Sequence, residues 1–220
     1  EHAAISAQNL KVPEEVLIGF RRLSRLQTIR WIGHDTMPME LLDGDGTDEQ
    51  VVEAIVEYYL KNWVSVRKTL LLRLAEYQID EETKAAYREA LDAVPVGLYR
   101  LVVPCLVAGI ERLVRIEFPE LKFGGVNKLD KLRRMIENMT VEGAAMFHLL
   151  VYDCLEEHLY IDVKDDMQIA AIKSNPVPNR HAALHGLLSY NTAASALNTI
   201  FLCDYVFSMI DANKRQQMMN

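Results

Sequence analysis

Asn179-Arg180-His181-Ala182-Ala183-Leu184-His185-Gly186 follows the proline-broken Asn175-Pro176-Val177-Pro178 and opens a long apolar stretch. From there Leu184, Leu187, Ala194, Leu197, Phe201 and Tyr205 recur on or beside one stripe, the period of a helix with one face in a core. The prolines set the start, because proline interrupts a helix interior. The spacing predicts a last helix over about 179–213, with this segment at its beginning.

The same period runs through the rest of the chain. Val16, Leu17, Phe20, Leu23, Leu26 and Ile29 predict a helix over about 13–32,. Thr47 and Gln50 form a capping box for a long helix over about 48–78,. Tyr58, Tyr59, Trp63 and Leu70-Leu71-Leu72 lie within it and read as core,. Asp80 caps a helix to about Val94, with Glu81 and Glu82 in the first turn, where the helix dipole favours them,. An apolar helix follows over about 96–118 around Pro104. Asn127 caps a helix to Asn138, and Thr140 caps another to about Tyr160,. Residues 163–178 read as irregular. No strand alternation and no internal repeat stand out. The expected fold is all-α, a helical bundle with a long C-terminal helix carrying the motif at its start. Residues 1–93 would be an N-terminal helical region packed on a 94–220 bundle, or the two are one continuous domain.

Half of the 220 residues are hydrophobic, with ten glycines and seven prolines, so the chain can bury a core built of long elements,. The net charge of −7 argues against bulk electrostatic attraction to nucleic acid,. Cys105, Cys154 and Cys203 are scattered and odd in number, which fits buried reduced thiols and a cytoplasmic protein better than a disulfide framework,. No signal peptide is visible, and the apolar run at 94–110 is too short and broken for a membrane span,. The chain begins with Glu1, as a processed form or a fragment would. Arg21, Arg22, Arg25 and Arg30 form either a solvated face paired with surplus acids or a phosphate-attracting stripe,. Asp43-Gly44-Asp45-Gly46-Thr47-Asp48 lacks the glycine and glutamate placement of a calcium loop and reads as a turn before a cap,.

The chemistry-bearing residues gather in the opening segment. Arginine grips phosphate through a planar fork of donors, and histidine exchanges protons near neutral pH. His181 and His185, four apart, share a helix face. That spacing also suits a metal pair, but Ala182 stands where a metalloprotease has glutamate,. Arg180 and His185 are five apart, about 140° around an ideal helix. Either the first turn is irregular or a second copy completes the site. Ordinary structural roles, an arginine on an acid and a core histidine, remain open for both.

This segment resembles the signature of HEPN ribonucleases, an arginine and a polar residue separated by spacers from a histidine, and most resembles the abortive-infection-like branch. Val103-Pro104-Cys105-Leu106-Val107-Ala108-Gly109-Ile110-Glu111 is similar to that branch's apolar helix, with Arg112 where the family often has glycine. The resemblance spans roughly Val94 to Phe207. It implies a metal-independent endoribonuclease without cofactor, a toxin or antiphage effector acting on RNA as a homodimer whose motifs meet at the interface. An antitoxin or regulatory partner is implied, and a membrane is not. It implies His185 as acid/base and Arg180 as phosphate clamp, supported by His181, Asn179 and Glu111. The alternatives are a non-catalytic helical module binding RNA, a nucleotide or a protein, and a metal enzyme using His181, His185 and Glu111.

Overall fold

The computed structural model describes residues 13–119 and 155–219. Among these every regular element is helical: α1 (Glu14–Thr28), a 3-10 turn (Met39–Leu42), α2 (Asp48–Lys61), α3 (Trp63–Glu76), α4 (Glu81–Ala93), α5 (Tyr99–Glu117), a π-helical turn (Leu155–Leu159), α6 (Asp166–Ile172), α7 (Arg180–Leu184) and α8 (Ala193–Met219). The all-α expectation stands. The predicted Asn127 and Thr140 caps, the helix ending at Asn138 and Cys154 lie outside the described residues.

α8 is the centre of the molecule. Its apolar residues face inward nearly all round, among them Leu197, Ile200, Phe201, Leu202, Val206, Phe207 and Ile210, the mark of a core helix. Its most apolar 18-residue window is 89% buried, which accounts for a hydropathy high enough to cross a membrane. α5 packs along it and contributes Val102, Val103, Leu106, Val107, Ile110, Leu113 and Val114 to one buried face. α4 packs on α5 and reaches α8, where the Tyr87 hydroxyl donates to the Ile200 carbonyl at 3.1 Å. α2 and α3 close another side with Ile55, Tyr59, Trp63, Leu70 and Leu74. One cluster of buried side chains runs from Leu26 to Ile210.

Three of the polar residues that α8 buries, Asn198, Asp204 and Asp211, hold other segments to it. Asn198 Oδ1 accepts from the Ile32 N–H at 2.8 Å, and Asp211 Oδ1 from the Gln78 N–H at 2.8 Å. Asp204, 3% exposed, accepts from Arg73 Nη1, His34 Nε2 and the Tyr77 hydroxyl, each at 3.1 Å. Arg73 also pairs with Asp35, and His34 stacks on Phe201 with ring centroids 4.6 Å apart. A carboxylate this deep is tolerated because every neighbour is a donor. The network pins the loop after α1 to α3 and α8.

The capping expectations at Thr47 and Asp80 are met. Thr47 and Gln50 make the reciprocal box, and Asp80 accepts from the Thr83 N–H and hydroxyl. Three boundaries differ from the sequence reading. The long helix over 48–78 is two helices, because the Asn62 side chain turns back to the Tyr58 carbonyl at 2.8 Å and leaves helical geometry, a competition asparagine offers any backbone. The irregular 163–178 stretch contains α6, whose cap is Asp165 accepting from the Gln168 N–H. The helix expected over 179–213 is interrupted: α7 stops at Leu184, Gly186 takes φ 69°, and the Leu187 N–H closes onto the Ala182 carbonyl at 2.9 Å. That is a glycine-terminated Schellman end, so the motif forms its own short helix ahead of α8.

α1 buries only its C-terminal end. Leu26 and the following Ile29 are buried, whereas Val16, Leu17 and Phe20 are exposed. Its arginines mostly meet acids: Arg22 pairs with Asp43 at 2.6 Å and Arg25 with Asp48 at 3.2 Å. The solvated-face reading therefore describes these two, and Asp43 in the glycine-rich turn serves as an ion-pair partner.

Candidate functional site

Asn179 fixes the start of the motif. It is 1% exposed, and its Oδ1 caps α7 by accepting from the Ala182 N–H at 2.9 Å. Its Nδ2 donates to the carbonyls of His158 (3.0 Å) and Ile161 (2.8 Å), and its own N–H donates to the Tyr190 hydroxyl (2.8 Å). Both ends of the amide are engaged by the protein, which makes Asn179 the cap of α7. These bonds weld three segments around α7: the turn before 161, the loop entering the helix and the loop leaving it.

Arg180, the first residue of α7, lies against α5. Its Nε sits 2.8 Å from Glu111 Oε1, an ion pair off the line of an ideal hydrogen bond. Its guanidinium carbon lies 5.7 Å from the centroid of the Tyr160 ring, within cation–π range,. Glu111 is 8% exposed and is the one carboxylate on the buried face of α5. Burial first and the Glu111 charge second push the Tyr160 hydroxyl's pKa well up, so Tyr160 stays neutral beside the pair. Glu111 and Tyr160 hold the Nε side of the guanidinium. Its two terminal nitrogens have no hydrogen-bond partner among the described residues.

The histidines face outward. His181 is half-buried and His185 exposed, and their rings meet at 4.5 Å between centroids with a 41° tilt. His185 caps the C-terminus of α7, its N–H bonded to the His181 carbonyl at 3.0 Å. That bond is still the helical one, so the end at Gly186 does not by itself bring His185 round to Arg180, and of the two expected routes a second copy is the one left to complete the site,. Leu184 and Leu187 flank His185 and are about two-fifths exposed. Glu111 is turned to Arg180, and no group of three histidine, cysteine or carboxylate ligands converges among the described residues.

The chain matches no protein-family model, no curated protein and no solved structure. The reading of the site therefore rests on its own residues. A fixed guanidinium with free terminal N–H donors can bind a phosphoryl oxygen. An exposed imidazole can take and return a proton. A buried carboxylate can orient the arginine without reaching the substrate.

The sequence reading anticipated Arg180, His181, His185, Asn179 and Glu111, and four of them gather at one end of α7 and on the facing wall of α5. It missed Tyr160 and Tyr190, which support the site from outside the motif. Their only sequence signal is nearness to it. It also missed His158, whose pKa is lowered by burial first and by the nearby charge of Arg30 second. The segment that binds Asn179 is thus close to an arginine the helical pattern assigned to a surface stripe.

Proposed function

We propose that this protein is a metal-independent endoribonuclease in which Arg180 and His185 act on the phosphodiester bond. The observation that carries the reading is the Glu111–Arg180 pair: it immobilises a guanidinium with its phosphate-binding end free, one short helical segment from an exposed histidine. His185 removes the proton of the ribose 2′-hydroxyl. The 2′-oxygen attacks the adjacent phosphorus, and the bond to the 5′-oxygen breaks. Arg180 stabilises the charge growing on the phosphoryl oxygens. The leaving oxygen takes a proton from imidazolium, giving a 2′,3′-cyclic phosphate and a 5′-hydroxyl. His181, against the His185 ring, orients it.

The exposed Leu184 and Leu187 beside His185 support a homodimer in which two motifs face each other across these leucines. Each copy would then supply one of the two imidazoles that cleavage and protonation require. A toxin or antiphage role, with a restraining partner, follows from the same activity.

The test is RNA digestion by the purified chain in EDTA, comparing wild type with Arg180→Ala and His185→Ala and mapping the end groups. Cleavage to cyclic phosphate by wild type alone is the expected result. Intact RNA with wild type under varied salt and pH sinks the proposal. RNA binding that survives His185→Ala without any turnover points instead to the non-catalytic binding module.

A further inference from the structure

A cavity of about 510 Å³ opens where the end of α1, the first turns of α2 and the two loops flanking α7 meet. That volume falls in the range of small-molecule sites, roughly 300–1,000 Å³. It adjoins the motif on both sides. Pro176 on its wall is four residues before Arg180, and Ser189 is four after His185. Four residues reach at most about 14 Å. Tyr190, also on its wall, accepts the hydrogen bond from the Asn179 N–H, so cavity and motif are one bonded unit.

Its polar lining is unfinished. Arg30 and Lys173 have no ion-pair partner among the described residues, although the chain carries a surplus of acids. On the facing side of α2, Asp48 is paired with Arg25, and Glu49 is held by its own backbone N–H and the Thr47 hydroxyl. Glu53 is the carboxylate left without a partner among the described residues. Asn175 is 4% exposed. Its Oδ1 accepts from the Val177 N–H at 3.0 Å, which leaves its Nδ2 donor without an acceptor among the described residues. Arg30 has an unusual backbone. It takes φ 52°, with its N–H bonded to the Gln27 carbonyl and the Trp31 N–H to the Leu26 carbonyl. That is the left-handed position at a helix end where glycine belongs, and such strain concentrates at functional sites.

We propose that this cavity is a nucleotide subsite that seats one unpaired guanosine nucleotide, its phosphate on Arg30 and Lys173 and its base edge on Glu53 and Asn175. Paired cations suit a phosphate. A carboxylate accepts only, and an unengaged amide N–H₂ donates only. Guanine is the base whose pairing edge offers two adjacent N–H donors beside one carbonyl acceptor, and that edge is free in single-stranded RNA. Ile29, Val52 and Pro176 supply apolar wall for the ring. That the guanosine belongs to the RNA being cut rests on the ribonuclease reading; that the cavity binds it does not.

The test is equilibrium dialysis of the full chain against 5′-GMP and 5′-UMP. Saturable GMP binding is expected, with UMP weaker by about tenfold or more. Arg30→Ala combined with Lys173→Ala lowers GMP affinity by about tenfold. Glu53→Gln narrows the GMP preference, and His185→Ala changes neither. Arg30→Lys, which keeps the charge and the backbone, retains most of the affinity and excludes a folding defect. Absence of GMP binding, indifference to the base, or affinity unmoved by these variants overturns the subsite. GMP binding as expected with RNA left intact leaves the subsite standing and removes the nuclease; RNA cut without GMP binding does the reverse.

Discussion

Glu111→Gln isolates the role of the buried carboxylate behind Arg180. The amide keeps the shape and volume of the acid and removes its charge. Net hydrogen bonds to charged groups contribute about 1.5–3 kcal/mol. The Arg180 side chain is 35% exposed, so water replaces part of what is lost, and the stability cost should fall to about 1–2 kcal/mol. For a chain of this size that is a drop of roughly 2–8 °C in Tm, at about 2–4 °C per kcal/mol. The catalytic cost should be larger in proportion. A guanidinium released from its anchor by about 1 Å loses on the order of 100-fold in rate. We expect kcat for a fluorescent oligoribonucleotide in EDTA to fall about 10- to 100-fold with KM nearly unchanged, because the clamp acts on charge that develops in the transition state. A double-mutant cycle with Arg180→Ala should be strongly non-additive, since both changes remove one device. If Glu111→Gln melts earlier yet cleaves at the wild-type kcat, Glu111 is a core ion-pair partner and nothing more, and the preorganised clamp is gone.

Arg30→Gly relieves left-handed strain of about 1–2 kcal/mol and costs about 0.5–1 kcal/mol in chain entropy. The net gain of up to about 1.5 kcal/mol should therefore raise Tm by up to about 6 °C, while GMP affinity falls. A lower Tm would refute the strain. Asp204→Ala strips three donors of their common acceptor and should cost about 3–5 kcal/mol by denaturant titration; a cost below about 1 kcal/mol would mean the network is solvated. His158 has a lowered native pKa, so the unfolded chain binds the proton first. Its contribution is present above the unfolded value near 6.5 and is lost as pH falls through that value toward the native one. His158→Gln should flatten Tm against pH in that window, distinct from the loss below about pH 4 as Asp35, Asp43 and Asp80 protonate,. With Arg30, Lys173 and Arg180 as phosphate contacts, log affinity for single-stranded RNA should fall with log salt at a slope of about −2, and a slope near −5 would demand a basic surface not described here.

The fold was legible where one rule governed a segment. The capping box at Thr47 and the cap at Asp80 locate two helix starts to the residue, because the side chain that stops the backbone is itself in the sequence. Helix ends were less legible. Asn62 and Gly186 each break a run whose apolar period continues across the break, and period counting cannot see a local side-chain or left-handed exit. The misread end at Gly186 matters most, since it separates α7 and its two histidines from α8. The Glu111–Arg180 pairing was foreseeable as a possibility from two elements rich in site residues. Tyr160 and Tyr190 were not, because their roles come from a ring contact and a hydrogen bond set by the fold rather than from spacing.

For an acidic chain, the proposed RNA binding depends on where cations are left without an acidic partner,. Arg22, Arg25, Arg67, Arg112 and Lys214 are each neutralised by a neighbouring carboxylate. Arg30 and Lys173, beside the motif, have no such partner among the described residues. On the proposed ribonuclease reading these two cations are what a strand entering at the cavity and α7 would meet, in a chain whose net charge of −7 otherwise repels a polyanion,. The wall bearing Arg30 is tied to α8 through Ile32 and Asn198 and through His34 and Asp204. The wall bearing Lys173 joins α7 through Asn175 and Asn179. The first wall is thus fixed to the core helix and the second to α7, so widening the cavity for a broader ligand would break buried polar bonds on the Arg30 side.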